Sequence, residues 1–171
     1  TEIRINSDGA ESVLRTQHGL LYRSSSGSEL RVTNCDRDGR NIRRAVLQDV
    51  KAGKSYDIDY EARTARESPL RASVLPPATD EHREKAKAAS LGEKVVGGLR
   101  CLEFPVINGP TGARTGTGCW SIDHSIRLQS QWELSYPGYQ LRVQNEMYEI
   151  QVGVEPPAGS MEVPNGFRIS R

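Results

Sequence analysis

The stretch CWSIDHSIRLQSQWELSY, residues 119–136, decides the class of fold because apolar and polar residues alternate along most of its length. A period of two is typical of a β-strand that has one apolar face and one solvated face. The run from Trp120 to Tyr136 is longer than a typical strand, so a turn or sharp bend is expected at residues 123–125. The stretch therefore predicts two neighbouring strands. The apolar phase contains Trp120, Ile122, Ile126, Leu128, Trp132, Leu134 and Tyr136.

The same pattern continues in other parts of the chain. The stretch SYDIDYEART, residues 55–64, places Tyr56, Ile58 and Tyr60 opposite acidic neighbours. Turn-forming clusters separate the strand-like runs at intervals that suit hairpins. They lie at 24–28, 36–40, 51–54, 108–118 and 136–139. The sequence therefore predicts a mainly β (α+β) fold in a single domain over residues 1–171, built on a twisted antiparallel sheet or half-barrel.

One segment departs from this β pattern and predicts a helix over about residues 79–91. Thr79 is a suitable N-cap, Asp80 and Glu81 suit the first turn, and Gly92 provides a stop. The apolar side of this helix is mostly alanine, so we expect it to lie closely on the concave face of the sheet. The two glycines at 97–98 predict a tight turn between the strands on either side.

The composition argues against several partners. The 171 residues include 23 Lys and Arg against 22 Asp and Glu, which gives a net charge of +1. Such a balance produces no long-range attraction to polyanions, so we expect no nucleic-acid partner. No run approaches the roughly 18 apolar residues of a membrane span, so an integral membrane protein is not expected. The chain opens with TEIRINSDGAES instead of a Met and a basic, apolar leader, which leaves open a signal peptide that has been removed.

The three cysteines, Cys35, Cys101 and Cys119, are in neither a CxxC spacing nor a Cys/His ligand spacing, so no metal site is predicted. Cys101 and Cys119 lie in neighbouring strand-like runs, which is compatible with a disulfide in an oxidising compartment. The alternative is that all three are small buried hydrophobic residues in a reducing cell. The sequence leaves both interpretations open.

Motifs for catalysis are missing from the sequence. There is no GxSxG elbow, the three histidines share no informative spacing, and the glycine-rich run at 108–118 lacks the GK[ST] of a phosphate-binding loop. The arginine-rich stretch at 37–44 is typical of an exposed, charged hairpin. We therefore expect a protein that is not an enzyme, with no catalytic residues and no cofactor.

The aromatic residues suggest a binding surface instead. Trp120, Trp132 and Tyr136 share the apolar phase of the longest alternating run. Such a face is either a closed core or the lining of an apolar cavity that is open to a ligand, and both demand the same residues. Periodicity alone does not separate these alternatives.

Five segments together resemble a group of secreted bacterial proteins that is abundant in acidobacteria. They are GLLYRSSSGSELR (19–31), LQDVKAGKSYDIDYEARTAR (47–66), SLGEKVVGGLRCLEF (90–104), CWSIDHSIRL (119–128) and EPPAGSMEVPNGFRI (155–169). The group is similar in layout to the LolA/LolB-like superfamily of periplasmic lipoprotein carriers, whose antiparallel half-barrel holds acyl chains. Cys119 stands where the group commonly has Glu, and this singles out the Cys101–Cys119 pairing for attention.

The resemblance implies a periplasmic or secreted protein that binds an apolar or amphipathic ligand without catalysis. The implied partner is a lipid or a lipoprotein acyl chain. The alternative is a protein-interaction module whose partner pairs with an exposed sheet edge. The residues expected to line the ligand-binding face are Phe104, Trp120, Leu128, Trp132 and Leu134.

Overall fold

The computed structural model describes residues 1–70, 78–107 and 113–171, and these contain thirteen β-strands and one α-helix. The strands before the helix are β1 (Glu2–Asn6), β2 (Glu11–Arg15), β3 (His18–Arg23), β4 (Glu29–Cys35), β5 (Arg44–Asp49), β6 (Lys54–Asp59) and β7 (Thr64–Pro69). The helix is α1 (Asp80–Ala89), followed by β8 (Gly92–Val96), β9 (Leu99–Ile107), β10 (Arg114–Ser121), β11 (Ile126–Tyr136), β12 (Tyr139–Glu146) and β13 (Arg168–Ser170). Residues 108–112 of the expected glycine-rich hairpin loop lie outside the described residues.

The described residues form two compact units. The first unit contains residues 1–16 and the described residues from 78 to 151, and the second contains residues 17–70 and 152–171. Each unit has its own sheet and its own core of buried side chains. The expectation of one domain over residues 1–171 stays a prediction.

The sheet of the first unit has seven antiparallel strands in the order β2-β1-β12-β11-β10-β9-β8. Its core is small and centres on four buried residues from three neighbouring strands and the edge strand β8. They are Val96, Cys101, Cys119 and Leu128. Between β8 and β9, Gly97 and Gly98 both have positive φ angles, of 56° and 83°, as a tight hairpin turn of this kind requires.

The sheet of the second unit has six strands in the order β13-β7-β6-β5-β4-β3. All neighbours are antiparallel except β13, which pairs with β7 in parallel. The alternation predicted for residues 55–64 is present here, since Ile58 is fully buried while Tyr56 and Tyr60 pack around the core. The remaining buried residues of this core are Leu30, Val32, Cys35, Ala45, Leu47 and Ala65.

The structure confirms the main prediction, a mainly β and largely antiparallel fold with one helix among the described residues. The expected bend at 123–125 lies in the connection between β10 and β11, and the turn clusters at 24–28, 36–40, 51–54 and 136–139 join paired strands. The division of the strands into two sheets is a feature that periodicity did not predict.

The helix begins where the sequence predicts. The Thr79 side chain accepts a hydrogen bond from the backbone N–H of His82, and the helix ends at Ala89, two residues before the predicted end. Its sheet contact is with β9, and none of its residues is buried. The helix therefore covers little of the sheet of its own unit, although the alanine-rich side predicted a close approach.

Candidate functional site

Three aromatic side chains of the first unit lie on one face of its sheet. Gly118 in β10 pairs with Phe104 in β9, and Gly116 in β10 pairs with Trp132 in β11. Directly paired residues share a face of a sheet, and residues two apart on one strand do as well. Phe104, Trp120 and Trp132 therefore project from the same side of neighbouring strands, and all three are half-buried.

Gly118 of β10 leaves room for one of the aromatic rings. A Cβ atom added at Gly118 would lie 2.4 Å and 2.5 Å from two carbon atoms of the Trp120 indole ring, so this ring lies directly over the glycine. The Trp120 ring also meets the Phe104 ring edge-to-face, with 5.9 Å between centroids and 70° between planes. The glycine thus lets a large ring lie flat on the sheet.

An irregularity in the pairing of β10 and β11 brings an arginine to this face. Cys119 pairs with Gln129 and Trp120 pairs with Arg127, so one extra residue of β11 lies between these two pairs. The guanidinium carbon of Arg127 lies 6.0 Å from the centroid of the Trp120 ring and 5.9 Å from that of Trp132. Both distances fall within the range of a cation–π contact.

The extra residue is Leu128, and its side chain does not lie with the three aromatic side chains. It is 1% exposed and packs in the core with Cys101 and Cys119. The prediction assigned Leu128 to the ligand-binding face because it shares the even phase of Trp120. The extra residue in β11 breaks this phase, so the structure corrects the assignment.

The fifth predicted residue, Leu134, lies two positions after Trp132 on β11 and pairs with Leu141 of β12. It is half-buried and lines a shallow cavity of about 340 Å³ together with Thr115 and Tyr136. We call Phe104, Trp120, Trp132 and Leu134 the aromatic face.

A larger open cleft of about 430 Å³ adjoins one end of the aromatic face. Its described lining includes the residues around the start of α1, the paired rings, and the connection between β10 and β11. These are Ala78, His82, Phe104, Trp120, Ile122 and Arg127. Apolar surface therefore surrounds a small number of polar groups, as in many small-molecule sites.

The charges beside the cleft are not distributed evenly. Arg83 donates hydrogen bonds of 2.7 Å to both Asp80 and Asp123, and these bonds, led by that to Asp123, raise the pKa of its guanidinium. The Arg127 guanidinium, in contrast, makes no ion pair or hydrogen bond with the described residues, and it lies near the two indole rings. Among the described residues of the lining, Arg127 is therefore a permanent cation that no carboxylate neutralises.

Behind this site, Cys101 of β9 and Cys119 of β10 form a disulfide, with their Cα atoms 5.4 Å apart. Both residues are buried, and Cys119 directly precedes Trp120. The bridge therefore joins the two strands that support Phe104 and Trp120. Cys35, in the other unit, is free and buried, and desolvation is the main cause that raises the pKa of its thiol.

The arginine-rich stretch of the second unit is largely paired. Arg40 contacts Asp38, Arg43 contacts Glu61 and Arg44 contacts Asp59. Of these side chains only that of Asp59 is half-buried, and the others are exposed. In the described parts of the chain, no group of three His, Cys, Asp or Glu residues is placed to hold a metal ion. None of the described helical residues forms a span long and apolar enough to cross a membrane.

The comparisons with known proteins add no relative. No protein-family model matches the chain, and a search of curated proteins finds no significant match. The resemblance to the lipoprotein-carrier layout, and the function it implies, stay predictions.

Two of the groups at the site, Arg127 and His82, were not predicted from the sequence as site residues. Arg127 lies in the polar phase of its run, and only the irregular pairing with β10 brings it to the tryptophans. His82 reaches the cleft through the placement of α1 beside β9. A hint was available in the sequence, because Arg127 lies between two tryptophans that share the opposite phase.

Proposed function

We propose that the aromatic face binds the apolar part of an amphipathic ligand, such as a lipid or an acyl chain. The observation that carries this proposal is the group of half-exposed rings beside an open cleft of about 430 Å³. Sites for small molecules are typically clefts of roughly 300–1,000 Å³ with an apolar lining and few polar groups. The rings are partly accessible, because Phe104, Trp120 and Trp132 are half-buried and not fully buried.

We further propose binding without catalysis. The described lining of the cleft includes His82, Ser121 and Ser125, but no hydrogen bond joins the histidine to either serine. A serine nucleophile requires such a base within hydrogen-bonding reach. The polar groups of the cleft therefore support recognition better than acyl transfer.

We also propose export to the periplasm or beyond. The support is the Cys101–Cys119 disulfide, because structural disulfides persist in oxidising compartments and are rare in the cytosol. A lipid carrier that acts between membranes would work in such a compartment.

Fluorescence provides a direct test, because both tryptophans of the chain belong to the aromatic face. The probe is dodecyl maltoside, a neutral amphiphile, titrated below its micelle concentration while the tryptophan emission is recorded. Saturable quenching or a blue shift is expected. Phe104→Ala should weaken binding about tenfold or more, since it removes a large apolar contact and preserves both reporters.

Val13→Ala is the matched control, because Val13 is 65% exposed in β2, at the far edge of the same sheet. It should leave the titration unchanged. Equal losses in both variants would contradict the proposal, as would the absence of a saturable change with any twelve-carbon amphiphile.

A second candidate function is pairing through a sheet edge. The edge strand β2 is exposed along its whole length, including Val13 at 65% and Leu14 at 54%. Two copies paired antiparallel about Val13 would place Glu11 of each opposite Arg15 of the other, although Arg142 already binds Glu11 within the chain. Sedimentation velocity should then show a dimer that Val13→Lys abolishes, and a monomer at all concentrations would exclude self-pairing.

A further inference from the structure

Beside the aromatic face lies a cation, Arg127, whose side-chain hydrogen-bond donors are not used by the described residues. A guanidinium has five N–H donors and stays protonated at all physiological pH values. The Arg127 guanidinium contacts two indole rings. No carboxylate or carbonyl of the described residues accepts a hydrogen bond from this guanidinium. Its donors therefore remain available to a group that enters from the cleft.

The acidic groups nearest to the cleft along the chain do not fill this role. Asp123 follows the lining residue Ile122, and Asp80 lies in the first turn of α1, yet both carboxylates are bound by Arg83. They belong to a separate exposed ion-pair network. Arg127 is exposed to solvent and lies beside an apolar surface, and no carboxylate of the described residues neutralises its charge.

The two indole rings also restrict the conformation of the Arg127 side chain before an anion binds. Contacts of the guanidinium carbon with two rings, at 6.0 Å and 5.9 Å from their centroids, restrict the orientations of this long side chain. A preorganised guanidinium loses less entropy when it binds an anion. The rings that contact Arg127 also belong to the aromatic face. A head group bound to Arg127 would therefore lie directly beside the surface that contacts the apolar chain.

We propose that the ligand is a single-chain amphiphile with a carboxylate head, of the fatty-acid class. The carboxylate would accept hydrogen bonds from Arg127, and the chain would lie along Phe104, Trp120 and Trp132. The described lining contains one unpaired cation, which matches the single charge of a carboxylate head, and a carboxylate can accept two parallel hydrogen bonds from a guanidinium. This inference rests on the proposed function, because it assigns the head group of the ligand that the aromatic face binds.

The experiment compares four probes that share a twelve-carbon chain: dodecanoate, dodecyl phosphate, dodecyl maltoside and dodecyltrimethylammonium. Each is titrated at pH 8, below its micelle concentration, against the complete chain with tryptophan emission as the readout. Dodecanoate is expected to bind most tightly. Arg127→Gln should weaken dodecanoate roughly tenfold or more and change dodecyl maltoside by less than about twofold.

Arg4→Gln is the matched control. Arg4 lies in β1 of the same sheet, and its guanidinium carbon is 4.6 Å from the centroid of the Tyr139 ring, so it too is an exposed arginine over an aromatic ring. It does not line the cleft, and its loss should leave all four titrations unchanged. An unaltered urea midpoint for both variants establishes that they fold equally well.

The outcomes separate the two proposals. If dodecyl maltoside binds as tightly as dodecanoate and Arg127→Gln has no effect, the head-group inference is overturned while the apolar site stands. Tightest binding of dodecyl phosphate overturns the carboxylate assignment. A preference for dodecyltrimethylammonium would mean that the indoles recognise a cation and would also overturn it. If none of the probes binds, the proposed function itself fails.

Discussion

The disulfide between Cys101 and Cys119 leads to the sharpest prediction about stability. The two cysteines are 18 residues apart, and closing a loop of this length removes enough entropy from the unfolded chain to stabilise the fold by about 3 kcal/mol. The perturbation is the double variant Cys101→Ala with Cys119→Ala, or reduction of the unmodified protein. Both bridged residues are buried in the small core of the first unit, so the alanine variant also loses packing. The alanine variant should therefore lose at least as much unfolding free energy as the reduced protein.

Urea unfolding followed by tryptophan emission measures this effect, because both tryptophans lie in the first unit. With an m value of roughly 1–3 kcal/mol per molar urea, a loss of about 3 kcal/mol lowers the midpoint by roughly 1–3 M. Reducing agent should shift the unmodified protein and leave the double variant unaffected. Alkylation in urea without reductant should label one of the three cysteines, Cys35. Labelling of all three thiols would refute the reasoning, as would a urea midpoint of the unmodified protein that does not change on reduction.

Three further predictions concern single positions. Gly116→Ala should destabilise the first unit more than Gly118→Ala, because the new Cβ would lie 1.9 Å from a backbone oxygen at the first position but 2.4 Å from the movable Trp120 ring at the second. Urea midpoints in the reverse order would contradict this. Ile58→Ala should cost about 2–5 kcal/mol, since Ile58 is fully buried, and circular dichroism during urea unfolding measures the loss. The Cys35 thiol has a pKa raised above 9.0, so its contribution to stability is complete below pH 9 and is lost as the pH rises through the raised pKa. Cys35→Ala should flatten the decline of unfolding free energy above pH 9, and an identical decline in both proteins would exclude this role.

The strands could be predicted because their sequence pattern reflects a local property, the alternation of faces. The bend at 123–125, the glycine turn at 97–98 and the N-cap Thr79 follow from preferences that act within a few residues. Pairing partners are different, because they depend on contacts that are distant in sequence. The parallel pairing of β13 with β7 and the division into two sheets therefore have no local signature.

The candidate site was predictable in part, for the same reason. Trp120, Trp132 and Leu134 follow from hydrophobic periodicity, whereas the phase of Phe104 is ambiguous in the sequence. All four lie on one face of the sheet. The role of Leu128 was wrong, because one extra residue in β11 reverses the phase of the strand. A displaced register changes which side chains share a face, and a single sequence does not show where it occurs.

The order in which the strands of the first unit follow one another in the chain has a consequence for synthesis. Glu2 pairs with Val143, so β1 is made long before the strand that completes its sheet. At the usual rate of protein synthesis the wait is on the order of ten seconds, during which β1 and β2 form at most an isolated hairpin. Strands β3 to β7 have sequence neighbours as partners and need no such delay. The newly made chain therefore presents an unpaired, partly apolar strand to chaperones and to other copies of itself before the first unit closes.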